Sequence, residues 1–228
     1  MSTIHTGRID YQGDTGLRGR ESFSITCADD GTRTLQAHCR MFDSRVERWV
    51  VHTVDPRMRP LRSFVSQRIA GEFLGEGWFT FAPGQLTGRS VVRGQGEVHQ
   101  EVDIEGELDY FVPHAVAGDS WITPCHDRSV EGWQDVRNGF TSSLLPDGST
   151  GPMIEQHRGL RQILLGEETV RVPAGEFRTE HFVVSARPGV EEHLWVTADD
   201  ISMLVKLRSD RLATTYVLAE HRVDDAWQ

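Results

Sequence analysis

Residues Arg178–His221 read RTEHFVVSARPGVEEHLWVTADDISMLVKLRSDRLATTYVLAEH. Apolar and polar side chains alternate over Arg178–Ala186, Val190–Thr197, Ile201–Arg208 and Thr214–His221, the period of half-buried strands. Arg187-Pro188-Gly189 and Ala198-Asp199-Asp200 supply turn residues between them, so the simplest topology is a consecutive four-strand antiparallel meander. A hairpin centred on Arg187–Gly189 puts His181, Val183, His193 and Trp195 on one face and Phe182, Val184, Leu194 and Val196 on the other. The second set is uniformly apolar and predicts a packed core. The first is mixed, as suits either a ligand pocket or a solvated face, and it makes His181 and His193 near neighbours.

Working outward, Val172-Pro173-Ala174-Gly175-Glu176-Phe177 forms a tight connection from an alternating run over Gln156–Arg171. In the first half the earliest clear strand is Arg20–Cys27, after a Gly-, Asp- and Gln-rich segment from Gly7 to Gly19. Ala28-Asp29-Asp30-Gly31 then turns the chain into Thr32–Phe42. Further strands are predicted at Arg45–Asp55, Leu61–Ala70, Glu76–Ala82, Gln85–Arg93 and Glu97–Glu107, punctuated by glycine and proline. Val112–Asp119 and Glu131–Asn138 are short helical candidates, and Leu145–Pro152 reads as a surface loop. The fold class predicted is all-β, an antiparallel curved sheet closed or half-closed into a barrel. We expect a single domain of two β-rich halves, about residues 1–107 and 156–228, joined by the loop and helix segment 108–155.

Composition narrows the partners. With 24 basic against 34 acidic residues the formal net charge is −10, which disfavours nucleic acid and anionic membrane surfaces. No window approaches the ~18 uninterrupted apolar residues that a membrane helix needs. Cys27, Cys39 and Cys125 are an odd number at wide spacings, fitting reduced thiols better than a disulfide framework. The N-terminal MSTIHTGRIDYQG has no apolar h-region, so the cytoplasm is the expected location.

The stretch richest in chemistry is Leu108–Asp127, LDYFVPHAVAGDSWITPCHD. It mixes Asp109, Tyr110, His114, Asp119 and Cys125 with Phe111, Trp121 and Ile122, so ionisable groups lie beside apolar walls able to shift their pKa values. A crossover between sheets would show the same mixture, because loops are polar and Pro113, Gly118 and Pro124 make turns. Ten histidines invite a metal site, yet there is no HxH, HExxH or CxxC; a non-local set from His114, His126, His181 and His193 is the only metal arrangement worth naming, and no metal is expected. Neither a GxSxG elbow nor a GxGxxG opening a helix is present, so no nucleotide or other cofactor is implied. What remains is proton transfer in an apolar cavity, with His114 as general acid/base, Asp119 or Asp109 orienting it, and Tyr110 donating to substrate. Trp121, His181, His193, Trp195, Tyr216 and Trp78 are the candidate ligand contacts.

The VPAGEF turn (Val172–Phe177), followed by HLWVTADD (His193–Asp200), LVKL (Leu204–Leu207) and TTYVLAE (Thr214–Glu220), resembles bacterial LolA-like domains. These are related to lipoprotein carriers and include domains of unknown function. The resemblance covers roughly Gly159–Glu220 and implies a half-barrel around a hydrophobic cavity; lipocalins offer the alternative, closed form. Known members are mostly exported, whereas this N-terminus reads as intracellular. The function expected is binding of a hydrophobic or aromatic small molecule, with a cofactor-independent lyase, isomerase or hydratase preferred over a non-catalytic carrier or sensor. A third reading is an interaction domain that closes its sheet edges by homodimerisation.

Overall fold

The computed structural model describes residues 2–226 apart from Leu144, Pro146, Pro188, Gly189 and the side chain of Arg187. The first half runs through β1 (Thr3–Gly13), β2 (Gly16–Cys27), β3 (Arg33–Met41), β4 (Val46–Val54), β5 (Pro60–Ile69), β6 (Glu72–Ala82), β7 (Gln85–Val92) and β8 (Gly96–Asp103). A crossover of short pieces follows: β9 (Tyr110–Val112), helix α1 (Val116–Asp119) continuing into a 3₁₀ turn (Ser120–Cys125), β10 (Gln134–Asp135), β11 (Gly139–Thr141) and β12 (Glu155–Gln156). The return is β13 (Arg161–Val172), β14 (Gly175–Arg187), β15 (Val190–Thr197), β16 (Leu204–Ser209) and β17 (Thr214–Asp225). No described helix is long and apolar enough to cross a membrane.

One 14-stranded sheet carries both halves, in the order β10-β13-β14-β15-β16-β17-β1-β2-β3-β4-β5-β6-β7-β8. The expected meander from Arg178 is present as β14 to β17, with antiparallel registers throughout. Of its first turn, Pro188 and Gly189 lie outside the described residues. The sheet curves without closing, since β8 at one end does not pair with β10 or β13 at the other. The free edges are charged, with Glu97, Glu101 and Asp103 on β8 and Glu167 and Glu168 on β13, where a bulge between Leu164 and Gly166 also interrupts the ladder.

Four expectations are corrected. Gly7–Gly19 is not a lead-in: it supplies most of β1, which pairs with β17 on one edge and β2 on the other and so joins the halves. Gly7 is tolerated in this central strand because the Phe23 ring lies where a Cβ would stand. Glu131–Asn138 is not helical; Gln134 and Asp135 form β10 against β13, and Trp133 instead lies under the Arg161 guanidinium at 4.4 Å. Pairing is not antiparallel everywhere, for β9 and β11 run parallel in a small second sheet completed by β12.

The fourth correction concerns Leu145–Pro152, predicted as a surface loop. Leu145 is exposed and Pro146 lies outside the described residues, but Gly148, Gly151 and Pro152 are buried. Gly148, at φ 70°, rests against Arg48 and Gln67, where a side chain would collide. Pro152 sits on Gly75 and Gly77, and Ile154 on Gly88. Glycine-rich inner strands thus let the crossover pack directly on the concave face. Gln100 of β8 fastens it, exchanging hydrogen bonds of 2.9 and 2.8 Å with the Ile154 backbone. The crossover fills the concave side of β5 to β8, and the space that remains lies under the other half.

Candidate functional site

That space is a cavity of about 700 Å³. Its walls are apolar, with Val112, Val116 and Ile122 from the crossover facing Val184, Leu194 and Leu207 from β14, β15 and β16. The β3–β4 turn (Asp43, Ser44), the β16–β17 turn (Arg211, Leu212) and the segment holding Ser143, Leu145 and Asp147 bring polar groups to one end. All 3 tyrosines of the chain, Tyr11, Tyr110 and Tyr216, line it, whereas no tryptophan or phenylalanine does among the described residues.

Helix α1 is held over the sheet by a buried carboxylate. Glu21 of β2 accepts the backbone N–H of Val116 and of Ala117, both at 2.8 Å, together with the Tyr11 hydroxyl at 2.8 Å and the Cys39 thiol at 3.1 Å. Burial beside Glu21 pushes the Tyr11 and Cys39 pKa values well up, so both stay protonated as donors. Next along the same belt, the buried Arg48 of β4 donates to the carbonyls of His114 and Asp147, drawing the Pro113–His114 corner and the Asp147 segment inward. His114 takes a left-handed backbone, φ 61°, to present that carbonyl.

Asp119, at the end of α1, reaches the cavity. Its Oδ1 is shielded from solvent and has no hydrogen-bond partner among the described residues. Burial first, then the nearby Glu192 and Glu21 carboxylates, hold the Asp119 carboxyl well above the usual carboxylate range. Tyr110 donates to the Asp119 carbonyl at 3.2 Å, and Tyr216 packs edge-on against Tyr11 with centroids 4.8 Å apart. Glu192, on the cavity wall, accepts from the Ser209 hydroxyl at 2.8 Å.

Of the residues singled out from sequence, the cavity therefore brings together His114, Asp119, Tyr110 and Tyr216. The His114 ring is bonded through Nε2 to the Ser143 carbonyl at 2.8 Å and to the Thr141 hydroxyl at 2.9 Å, and neither Asp119 nor Asp109 orients it. Desolvation, with Arg48 adding to it, lowers its pKa to about 3. Asp109 serves the crossover elsewhere, accepting from Arg59 at 2.8 Å and from the backbone of Arg137 at 3.1 Å. Trp121 is buried in the core beside His52, and Trp78 is 54% exposed against Phe64.

The mixed face of the β14–β15 hairpin points away from the cavity. There His181 Nε2 meets His193 Nδ1 at 2.9 Å, and Glu168 Oε1 receives the Trp195 indole N–H at 2.7 Å and faces His181 Nδ1 at 3.0 Å. It is the uniformly apolar parity, through Val184 and Leu194, that meets the cavity, because the crossover does not fill the concave side beneath it. Among the described residues no three His, Cys, Asp or Glu side chains converge in metal-binding geometry. At the opposite end a second cleft, about 510 Å³, is ringed by charges already paired, Arg33 with Asp200 and Arg128 with Glu180.

Sequence reasoning missed Glu21, Tyr11, Arg48 and Glu192. Each was marked by parity: Glu21 shares a face with Phe23 and Ile25, Tyr11 with Ile9, Arg48 with Val50 and Val54, and Glu192 with Leu194 and Val196.

These features define an open, β-barrel-like protein: a single curved sheet, its concave side part filled by a crossover and part left as an apolar cavity. No family model and no curated protein matches the chain by sequence. Among solved structures it is similar to a β-barrel-like protein of the domain of unknown function DUF1849 from Brucella abortus, with TM-score 0.57 and 9% identity over 98% of each chain. A lipoprotein candidate from Parabacteroides distasonis (TM-score 0.30, 8% identity, 97% of this chain and 95% of that one) is more distant. So is an export candidate with a YmcC-like fold from Bacteroides fragilis (TM-score 0.30, 11% identity, 97% and 95%). The Brucella likeness concerns fold, and the curved antiparallel sheet implied by the LolA-like resemblance is the fold present.

Proposed function

We propose that this protein binds a hydrophobic small molecule in the cavity between β14–β17 and the crossover. The observation that carries the reading is an apolar-walled volume of about 700 Å³, within the size range of small-molecule sites, with a few polar groups converging inside it. Val184, Leu194 and Leu207 would take the apolar body, and Tyr110, Tyr216 and Asp119 would orient its polar end. A thermal-shift screen over fatty acids, terpenoids, steroids and lignin-type aromatics tests this, since a ligand at about 100 times its Kd adds roughly 2.7 kcal/mol to the folded state. Leu207→Trp, which projects a larger ring into the cavity, should reduce the shift. If no compound shifts the wild-type protein, and extraction of the purified protein yields no bound organic molecule, the reading is wrong.

A second reading, cofactor-independent acid/base catalysis, is favoured by the place of Asp119 in the cavity lining, where burial raises its pKa towards the range of a general acid. With a turned-over ligand in hand, Asp119→Asn would lower kcat by ~10²–10⁴-fold, beyond any change in affinity. Equal turnover by the variant would exclude that role.

A further inference from the structure

The interior of the cavity is unevenly provided. Four carboxyl groups line it, Asp119 and Glu192 on α1 and β15 and Asp43 and Asp147 in loop segments, with the hydroxyl-bearing rings of Tyr11, Tyr110 and Tyr216; its arginines are Arg18 near the start of β2 and Arg211 in the β16–β17 turn. Arg18 is bound to Asp43 at 2.6 Å and to the Leu212 carbonyl and Thr214 hydroxyl, both at 2.6 Å, and is not free to reach inward. The groups acting electrostatically on Asp119 are Glu192 from β15, Glu21 from β2 and Arg48 from β4; Tyr110 and Tyr216 are close enough to feel it in turn. Arg48 is the cation among these, but two of its guanidinium nitrogens are directed to the carbonyls of His114 and Asp147. A buried Asp119 carboxyl oxygen without a hydrogen-bond partner among the described residues, acted on by Glu192 and close to Tyr110 and Tyr216, is left without a donor.

Resting on the cavity reading above, we infer that the ligand carries a protonated amine, seated between Asp119 and Glu192 with the tyrosine rings around it and its apolar body against Leu194 and Leu207. An ammonium supplies three donors, which suits the unpartnered Oδ1, and its charge is attracted to aromatic faces. A fatty acid would bring a further carboxylate beside Asp119, whose charged form burial and Glu192 already disfavour. Burial and the neighbouring carboxylates raise the Asp119 pKa, so an ammonium seated beside it favours loss of the carboxyl proton to solvent.

Calorimetry at pH 7 with three probes of equal chain length, decylamine, 1-decanol and decanoic acid, tests the assignment. Decylamine is expected to bind at least about 10-fold tighter than decanol, the size of one charge-assisted hydrogen bond. Its binding enthalpy should change with the ionisation enthalpy of the buffer, as proton release requires. Asp119→Asn should remove the proton release and bring decylamine down to the affinity that the same variant shows for decanol; Glu192→Gln should weaken the preference in part. Decanol or decanoic acid binding as tightly as the amine overturns the inference and leaves the cavity reading standing. Failure of all three to bind overturns both.

Discussion

Glu21 shows how a single residue sets the architecture around the cavity. Its carboxylate receives four donors from three parts of the chain, so removing it strands buried N–H, O–H and S–H groups at once. Glu21→Ala should cost about 3–5 kcal/mol and Glu21→Gln less, since the amide keeps one acceptor. Urea midpoints equal to the wild type would show that α1 is held by packing alone. Two histidines with strongly lowered pKa values contribute to the acid sensitivity. Burial lowers the pKa of His52 to about 4 and that of His114 to about 3, both below the ordinary 6.5, so the unfolded chain binds more protons than the folded one. Their contribution is complete above about pH 6.5 and is lost as pH falls through that window. His52→Phe, which keeps the contact with Trp121, should flatten the decline of the urea midpoint between pH 6.5 and 4; an unchanged slope would place the acid sensitivity elsewhere. At this scale the signal was present but missed, because parity was not followed past a charged side chain. Glu21 and Arg48 look solvated by type but occupy the inward series of their strands.

Among the elements, the β14–β15 hairpin was legible because both strands alternate cleanly and pair in the anticipated register, Phe182 opposite Leu194. The same hairpin separates two kinds of burial. Phe182 is fully enclosed against His126, whereas Leu194, equally hidden, borders the cavity. Phe182→Ala should therefore cost about 3–5 kcal/mol and Leu194→Ala about 2 kcal/mol, because the latter enlarges a space that already exists. Equal losses in denaturant unfolding would mean that the cavity collapses around either site. The crossover was poorly legible, since its pieces are two to six residues long and are shaped by tertiary contacts such as Arg48 and Gln100 rather than by periodicity. The outer edge of β13 depends on charge and on its bulge. Replacing Glu167 and Glu168 by valine and threonine should drive concentration-dependent self-association, read by light scattering, and a monodisperse variant would assign protection to the bulge.

Across the whole molecule the feature hardest to read was β1, whose glycines mimic a loop although its neighbours make it central. Because it joins β17 to β2, the halves should unfold together. Fluorescence, which reports on Trp49 and Trp78 in one half and Trp195 in the other, should give the same midpoint as circular dichroism; separated transitions would show that each half stands alone. The pairing of Thr3 with Asp225 and of Gly13 with Thr214 also has a meaning for biosynthesis. β1 is synthesised long before its partner β17, and until β17 follows an edge in the middle of the future sheet stays open to solvent and to other chains. The first half can zip up hairpin by hairpin during translation, but the β1–β17 ladder joins segments far apart in the chain, the slowest kind of contact to form. A polypeptide that stops short of β17 is left with that edge bare, and quality control can recognise it as unfinished.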